Sequence, residues 1–79
     1  MNHLTYWHKN GQKSIESNNK DGMIVGMITY WYENGQKSRE RKYKDGKANG
    51  NFTYWYWEGD IRSLSTWKDG NCLSGDCPN

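Results

Sequence analysis

The chain has 79 residues and a formal net charge of +2, and only 33% of its residues are hydrophobic, so it forms one small domain with a thin core at most. Five tryptophans and six tyrosines argue against a disordered chain, because disordered segments are poor in aromatic residues. The small net charge argues against a nucleic-acid partner, and there is no run of about 20 apolar residues that would span a membrane.

A unit of 24 residues recurs three times in the sequence. Its landmarks are an aromatic triplet, a turn glycine and a Lys-Asp-Gly turn. The triplets are Thr5-Tyr6-Trp7, Thr29-Tyr30-Trp31 and Thr53-Tyr54-Trp55, and the Lys-Asp-Gly turns are Lys20-Asp21-Gly22, Lys44-Asp45-Gly46 and Lys68-Asp69-Gly70. This recurrence predicts three copies of one supersecondary unit within a single domain, at about residues 4–27, 28–51 and 52–75, with a tail to residue 79.

Each copy has the pattern of a β-hairpin. In the middle copy, residues 28–32 are β-branched or aromatic, as suits a strand, and residues 37–43 follow as the second strand. Asn34-Gly35 predicts the hairpin turn, and Asp45-Gly46 predicts the turn into the next copy. The predicted structural turns are therefore at Gly11, Gly22, Gly35, Gly46, Gly59 and Gly70. Together with Gly26 and Gly50 they interrupt every window long enough for a helix.

The predicted fold is all-β. We expect a single-layer, twisted antiparallel β-meander of about six strands, built from three 24-residue hairpin repeats. A closed small barrel of the same six strands is the alternative, and we favour the open sheet.

The hairpin register decides which side chains share a face, because a one-residue slip moves a whole set to the other side. A two-residue Asn34-Gly35 turn pairs Tyr32 with Lys37. One face then holds Tyr30, Tyr32, Arg39, Arg41 and Tyr43. A three-residue loop with a bulge at Gly35 pairs Tyr32 with Gln36. Trp31 then shares its face with Lys37, Arg39, Arg41 and Tyr43. We favour the bulge, because Glu58-Gly59 in the third copy suits it better.

The bulged register places Trp7, Trp31 and Trp55 in one row across the sheet. Corresponding residues two strands apart lie about 9.5 Å from each other, so side chains of the intervening strand, such as Lys37 and Arg39, fit against the rings. For most of these rings a role in the core is the simpler interpretation. Because the chain offers no second layer, we expect some aromatic surface to stay exposed and to serve as a binding or self-association face.

The motif Ile28-Thr29-Tyr30-Trp31-Tyr32-Glu33-Asn34-Gly35-Gln36-Lys37, followed by Tyr43-Lys44-Asp45-Gly46-Lys47-Ala48-Asn49-Gly50, resembles the MORN-type repeat. It is most similar to the short variant of bacterial YwqK-like antitoxin proteins, and the likeness runs from about Leu4 to Gly70. The resemblance implies a single-layer hairpin array that binds other macromolecules and has no catalytic centre. The first and third copies depart from the motif, for example with Asn19 in place of Tyr43, as terminal copies of an array do.

Two cysteines and two histidines lie outside the recurring motif or vary within it. We predict that Cys72 and Cys77 are free thiols, with a short disulfide loop in an oxidising compartment as the alternative. A zinc site with His3 and His8 is disfavoured, because the two pairs lie at opposite ends of the predicted meander. The first residues lack the basic start and apolar stretch of a signal peptide, so we expect a cytoplasmic protein.

No pair of nucleophile and base, calcium loop or phosphate-binding loop is present in the sequence, so we expect no enzyme, no cofactor and no metal. Basic residues cluster in the middle copy, at Lys37, Arg39, Arg41, Lys42, Lys44 and Lys47. Solvated strand residues are the simpler interpretation of this cluster, since lysines protect exposed edges. The alternative is an electropositive binding patch beside aromatic rings.

Our first hypothesis is a non-catalytic module that binds a partner protein, as an antitoxin, immunity protein or inhibitor does. The candidate partner-binding residues are Tyr30, Trp31, Tyr32, Arg39, Arg41, Tyr43, Tyr54, Trp55 and Tyr56, which are types that binding hot spots favour. The alternatives are aromatic platforms for a glycan or cell wall, and weak association with anionic membranes. Self-association through the unpaired sheet edges is compatible with all of these.

Overall fold

A computed structural model describes residues 2–77, and these residues form one antiparallel sheet. The strands are β1 (Asn2–Trp7), β2 (Lys13–Lys20), β3 (Met23–Trp31), β4 (Lys37–Lys44), β5 (Lys47–Ala48), β6 (Gly50–Trp55), β7 (Ile61–Lys68) and β8 (Asn71–Gly75). They follow one another as a meander, with the short β5 paired to β4 beside β6. The predicted all-β, open antiparallel meander is confirmed. Within residues 2–77 there is no helix that would cross a membrane.

The sheet has eight strands where the sequence predicts about six. One additional strand arises because the strand expected between β4 and β7 is divided into β5 and β6. The division is at Asn49, next to Gly50, which has a φ of 124°. The other is β8, which follows the last Asp-Gly turn and pairs with β7. Extents of 36 × 32 × 15 Å are those of a single layer.

Two kinds of turn alternate along the meander. The Asp-Gly turns have positive φ at both residues, 51° and 79° at Asp45 and Gly46, as a tight two-residue hairpin turn requires. In the Asn-Gly loops, the Gly35 N–H donates to the Tyr32 carbonyl and the Tyr32 N–H to the Gln36 carbonyl, at 3.0 and 2.8 Å. Tyr32 therefore pairs with Gln36, which confirms the bulged loop.

A second bulge corrects the predicted composition of the two faces. Trp31 pairs with Lys37 as expected, but Tyr30 pairs with Arg39, which leaves Ser38 as an additional residue on β4. The same shift recurs after Tyr6 and after Tyr54. Because one additional residue reverses the alternation of β4, the prediction that Trp31 shares a face with Arg39, Arg41 and Tyr43 is wrong.

The core lies on the face that carries Arg39 and Arg41. Ile28 and Phe52 are the buried hydrophobic residues among those described, with Ser17 and Ser65 buried in the same layer. Phe52 stacks on Trp67 with ring centroids 5.0 Å apart and packs against Tyr43 at 5.7 Å. The core is therefore a small aromatic cluster over β4, β6 and β7.

The prediction that Cys72 and Cys77 are free thiols is wrong, because the two are joined by a disulfide. Cys72 lies in β8, and the chain turns after Gly75 so that Cys77 comes back beside it, with 5.7 Å between the Cα atoms. That separation lies in the range a disulfide requires. The bond closes the end of the chain into a short loop against β7.

Candidate functional site

Cationic and aromatic side chains alternate on one face of the sheet. We call this the arginine face, and it comprises Tyr30, Arg39, Arg41, Tyr43, Phe52, Tyr54 and Trp67. The second bulge brings them together, since it turns the alternate residues of β4 to the side of Tyr30 and Tyr54. Cross-strand pairing places Arg39 between Tyr30 on β3 and Tyr54 on β6.

Arg39 is held between two tyrosine rings. Its guanidinium carbon lies 4.5 Å from the centroid of Tyr30 and 5.9 Å from that of Tyr54. Both distances are within the range of cation–π attraction, which is worth about 0.5–1 kcal/mol at exposed sites. Contacts with ring faces leave guanidinium N–H groups of an arginine able to reach a ligand.

Arg41 is fixed more firmly than Arg39. Its Nε and Nη2 atoms donate to the hydroxyl oxygen of Tyr54 at 3.0 and 2.7 Å, and the guanidinium also lies 5.6 Å from the ring of Phe52. Burial opposes the charge, but interactions with the hydroxyls of Tyr54 and then Tyr43 outweigh it and raise the pKa of Arg41 above its ordinary value. Arg41 is thus a permanent, oriented cation.

The opposite face pairs its charges internally. We call it the tryptophan face, and it comprises Trp7, Lys13, Trp31, Lys37 and Trp55. Lys13 lies 5.7 Å from the ring centroid of Trp31 and donates to Glu16 at 3.0 Å. Lys37 donates to Glu40 at 2.6 Å. Within residues 2–77, by contrast, no ion pair involves Arg39 or Arg41.

Two shallow depressions open on the arginine face. The first, of about 340 Å³, is lined by Tyr32, Ser38, Arg39, Tyr54 and Arg62. The second, of about 310 Å³, is lined by Arg41, Phe52, Tyr54, Ser63, Ser65, Trp67 and Asp76. Each contains one of the two oriented arginines, and the hydroxyl-bearing side chains at their rims offer further hydrogen bonds. The first depression, with Arg39 and Arg62 and no carboxylate in its lining, fits an anionic group, whereas the second also contains the carboxylate of Asp76.

The structure brings five of the nine candidate residues together, namely Tyr30, Arg39, Arg41, Tyr43 and Tyr54. Tyr32 borders them at the first depression. Trp31 and Trp55 lie on the tryptophan face instead, beside Lys13 and Lys37 respectively. Tyr56 lies at the loop end of the sheet and is half exposed.

Several residues of the site were not predicted from the sequence. Phe52 and Trp67 form the floor of the second depression, and their place follows from pairing of β6 with β7 that the sequence does not specify in detail. Side chains also join neighbouring loops: the Tyr32 hydroxyl donates to the Trp55 carbonyl at 2.6 Å, and His8 Nε2 lies 2.8 Å from the Trp31 carbonyl. His8 and Tyr32 are 24 residues apart and so occupy the same position in the recurring unit. That equivalence is the sequence signal that could have identified these links.

Across the described ranges, no group of three or more acidic, histidine or cysteine side chains is arranged to hold a metal ion. Comparisons with protein-family models, with curated proteins and with solved structures find no match to this chain.

Proposed function

We propose that this protein is a non-catalytic module whose arginine face binds an acidic patch on a partner protein. The observation that carries the proposal is that Arg39 and Arg41 are oriented by tyrosines, while no described carboxylate forms an ion pair with them. An oriented arginine presents a planar set of donors that matches a carboxylate, and it loses little entropy on binding.

The residue types and the dimensions suit a protein interface. Tyrosine, tryptophan and arginine dominate binding hot spots, and the centre of this face consists of these residues. Extents of 36 × 32 Å give one face room for the roughly 800 Å² that a standard interface buries on each partner. The thin layer leaves both faces accessible to a large ligand.

The sequence resemblance suggests which biological role such binding would serve. The motif around Tyr30 and Asn34-Gly35 resembles the short MORN-type repeat of YwqK-like antitoxins. On that likeness we propose an antitoxin, immunity or inhibitor role, in which the bound partner is held inactive in the cytoplasm. The three sequence copies would then act as one surface, with the middle copy at its centre.

Affinity capture with matched charge variants tests the proposal. The tagged protein is incubated with host lysate, and retained proteins are identified and then purified for a binding measurement. We expect Arg39→Glu with Arg41→Glu to weaken binding of the purified partner at least about tenfold, since opposite charge is placed at a hot spot. Lys20→Glu, at the exposed end of β2, makes the same kind of charge change outside the site and serves as the control.

A separate variant distinguishes the two faces. Trp31→Ala alters the tryptophan face and should leave partner binding unchanged if the arginine face is the interface. Unchanged binding by the double arginine variant would contradict the proposal. Capture of no protein, with binding to a glycan array or to anionic vesicles instead, would support the aromatic-platform or membrane alternatives.

A further inference from the structure

The outer edge of β7 is occupied by β8 along residues 65–68 and by Asp76 at Leu64. Leu64 donates its backbone N–H to Asp76 Oδ2 at 3.0 Å, and its carbonyl accepts the Asp76 N–H at 2.8 Å. Both backbone groups of Leu64 therefore point away from β6, toward the open side of the sheet. Asp76 satisfies them with one side chain and one main-chain group rather than with a regular strand.

In the first two sequence copies, the residue equivalent to Leu64 pairs with the strand that follows it in the sheet. Glu16 and Glu40 precede Leu64 by 48 and 24 residues, and they pair with Thr29 on β3 and Thr53 on β6. Each threonine belongs to a Thr-Tyr-Trp triplet, which opens the next sequence copy. Asp76 therefore bonds to Leu64 at the place where the threonine of a further Thr-Tyr-Trp triplet would pair with it.

Strand β1 carries such a triplet on the opposite edge of the sheet. Thr5, Tyr6 and Trp7 are its members, and within the described residues β1 pairs only with β2. Glu16 pairs with Thr5 on one side and with Thr29 on the other. By analogy with Leu64, the backbone N–H and carbonyl of Glu16 point toward Thr29 and not toward Thr5. The backbone N–H and carbonyl of Thr5 therefore point away from β2, toward the open side of the sheet. At Leu64 and Thr5, the two edges therefore carry backbone donors and acceptors that could pair with each other.

Side chains at the two edges match in the same register. Ile61 on β7 holds the position of Lys13 and Lys37, which lie beside Trp31 and Trp55. Ile61 instead is 60% exposed, and Trp7 on β1 is 61% exposed. A register that pairs Leu64 with Thr5 brings this isoleucine beside this tryptophan and covers both.

The loop end of the sheet offers a third match. The Tyr32 hydroxyl donates to the carbonyl of Trp55, and His8 Nε2 contacts that of Trp31. Tyr56 holds the corresponding position in the third copy and is 50% exposed. In the same register its hydroxyl would donate to the carbonyl of Trp7.

We propose that the outer edge of β7 is a docking site for strand β1 of a second copy of this chain, with Leu64 paired to Thr5. In this protein β8 and the disulfide-closed tail after it cover that edge, and both must leave it before β1 can dock. The contact is head to tail, so repeated docking builds an open chain of copies. The Cys72–Cys77 bond holds Asp76 against Leu64, and Gly75 permits the close approach because any Cβ there would clash with the Leu64 carbonyl oxygen.

Sedimentation of matched variants tests the proposal. We expect the oxidised protein to remain a 9.3 kDa monomer. Cys72→Ser with Cys77→Ser should self-associate as concentration rises, to a weight-average mass above twice that value. Asp76→Ala keeps the disulfide, and we expect it to raise the weight-average mass by less than the double serine variant does. This variant provides the test if the double serine variant fails to fold.

Two further changes, made in the serine variant, test the edge and the register. Leu64→Pro removes the outward N–H without touching the pairing to β6, and it should restore the monomer. Thr5→Cys with Leu64→Cys should form cross-links between copies, whereas Thr5→Cys with Thr66→Cys should not. A serine variant that stays monomeric, association that survives Leu64→Pro, or equal cross-linking of both pairs would overturn the proposal.

Discussion

Tyr54 accepts two hydrogen bonds from Arg41, at 3.0 Å from Nε and 2.7 Å from Nη2. The two residues lie on neighbouring strands, β6 and β4, and the contact fixes the direction in which the guanidinium faces solvent. The ring of Tyr54 also lies 5.9 Å from Arg39. One phenol therefore orients the two cations on which the proposed partner site depends.

We predict that Tyr54→Phe reduces partner affinity and lowers the free energy of unfolding by about 1–2 kcal/mol. The substitution keeps the ring but removes the acceptor for two charged donors, and a hydrogen bond to a charged group contributes on this scale. Urea denaturation and a binding titration measure the two effects. Tyr30→Phe is the control, because the Tyr30 hydroxyl makes no hydrogen bond within residues 2–77; an equal loss there would contradict the role of the Tyr54 hydroxyl.

The loop links provide an internal comparison of two tyrosines at equivalent sequence positions. The Tyr32 hydroxyl donates to the Trp55 carbonyl at 2.6 Å, while Tyr56 closes the third loop of the same kind, has no such side-chain link within residues 2–77 and is half exposed. We expect Tyr32→Phe to lower the free energy of unfolding by about 1 kcal/mol, and Tyr56→Phe to change it by less than about 0.5 kcal/mol. Urea denaturation of both proteins checks the difference. Similar values would show that the Tyr32 link contributes nothing.

Local sequence patterns predicted the strands and turns well because each depends on a few adjacent residues. The Asp45-Gly46 turn and the Gly35 loop require positive φ, and the residues that permit it are visible in the sequence. The open meander then follows from hairpins joined by tight turns.

The faces were harder to predict, because they depend on one residue per hairpin. Ser38 is the additional residue on β4, and nothing in its type marks a bulge. It reverses which side of the sheet carries Arg39, and so it separates Trp31 from the arginines. The disulfide likewise depends on how the end of the chain turns after Gly75, which is a tertiary effect and not a local pattern.

We predict that Phe52→Ala lowers the free energy of unfolding by roughly 3 kcal/mol. Phe52 is 7% exposed and contacts Tyr43 and Trp67, so truncation leaves a cavity in the small aromatic core. This is a large part of the roughly 5–15 kcal/mol by which folded domains are stable. Leu73→Ala is the matched control, because Leu73 is 62% exposed and its truncation should cost little. Thermal and urea denaturation compare the two; equal costs would mean that Phe52 is not at the centre of the core.

The histidine on β1 gives the protein a predicted pH response. Hydrogen bonds with Asn18 and then Glu16, at 2.9 and 3.1 Å, raise the pKa of His3 above its ordinary value of 6.5. These bonds favour the charged imidazole in the folded state. Their contribution to stability is therefore fully present below pH 6.5 and is lost as the pH rises through the higher folded-state pKa.

Glu16 limits the same contribution on the acid side. Its hydrogen bond with Lys13, and then that with His3, lowers the pKa of Glu16 below its ordinary value of 4.5, although partial desolvation opposes the shift. The stability gained from this carboxylate is present above pH 4.5 and is lost as the pH falls through the lower folded-state pKa. The β1–β2 hairpin should thus be held most firmly between these two ordinary values.

An NMR titration of the His3 imidazole protons tests this arrangement. We expect a pKa above 6.5 in the wild-type protein, and a lower one in Asn18→Ala because the strongest partner is removed. Asn19→Ala is the control, since Asn19 is the adjacent amide and accepts a hydrogen bond from Ser17 instead. The expected result is that Asn19→Ala leaves the His3 pKa where it is in the wild-type protein. A wild-type value at or below 6.5, or equal shifts in the two variants, would mean that Asn18 does not hold the charged imidazole at the edge of the sheet.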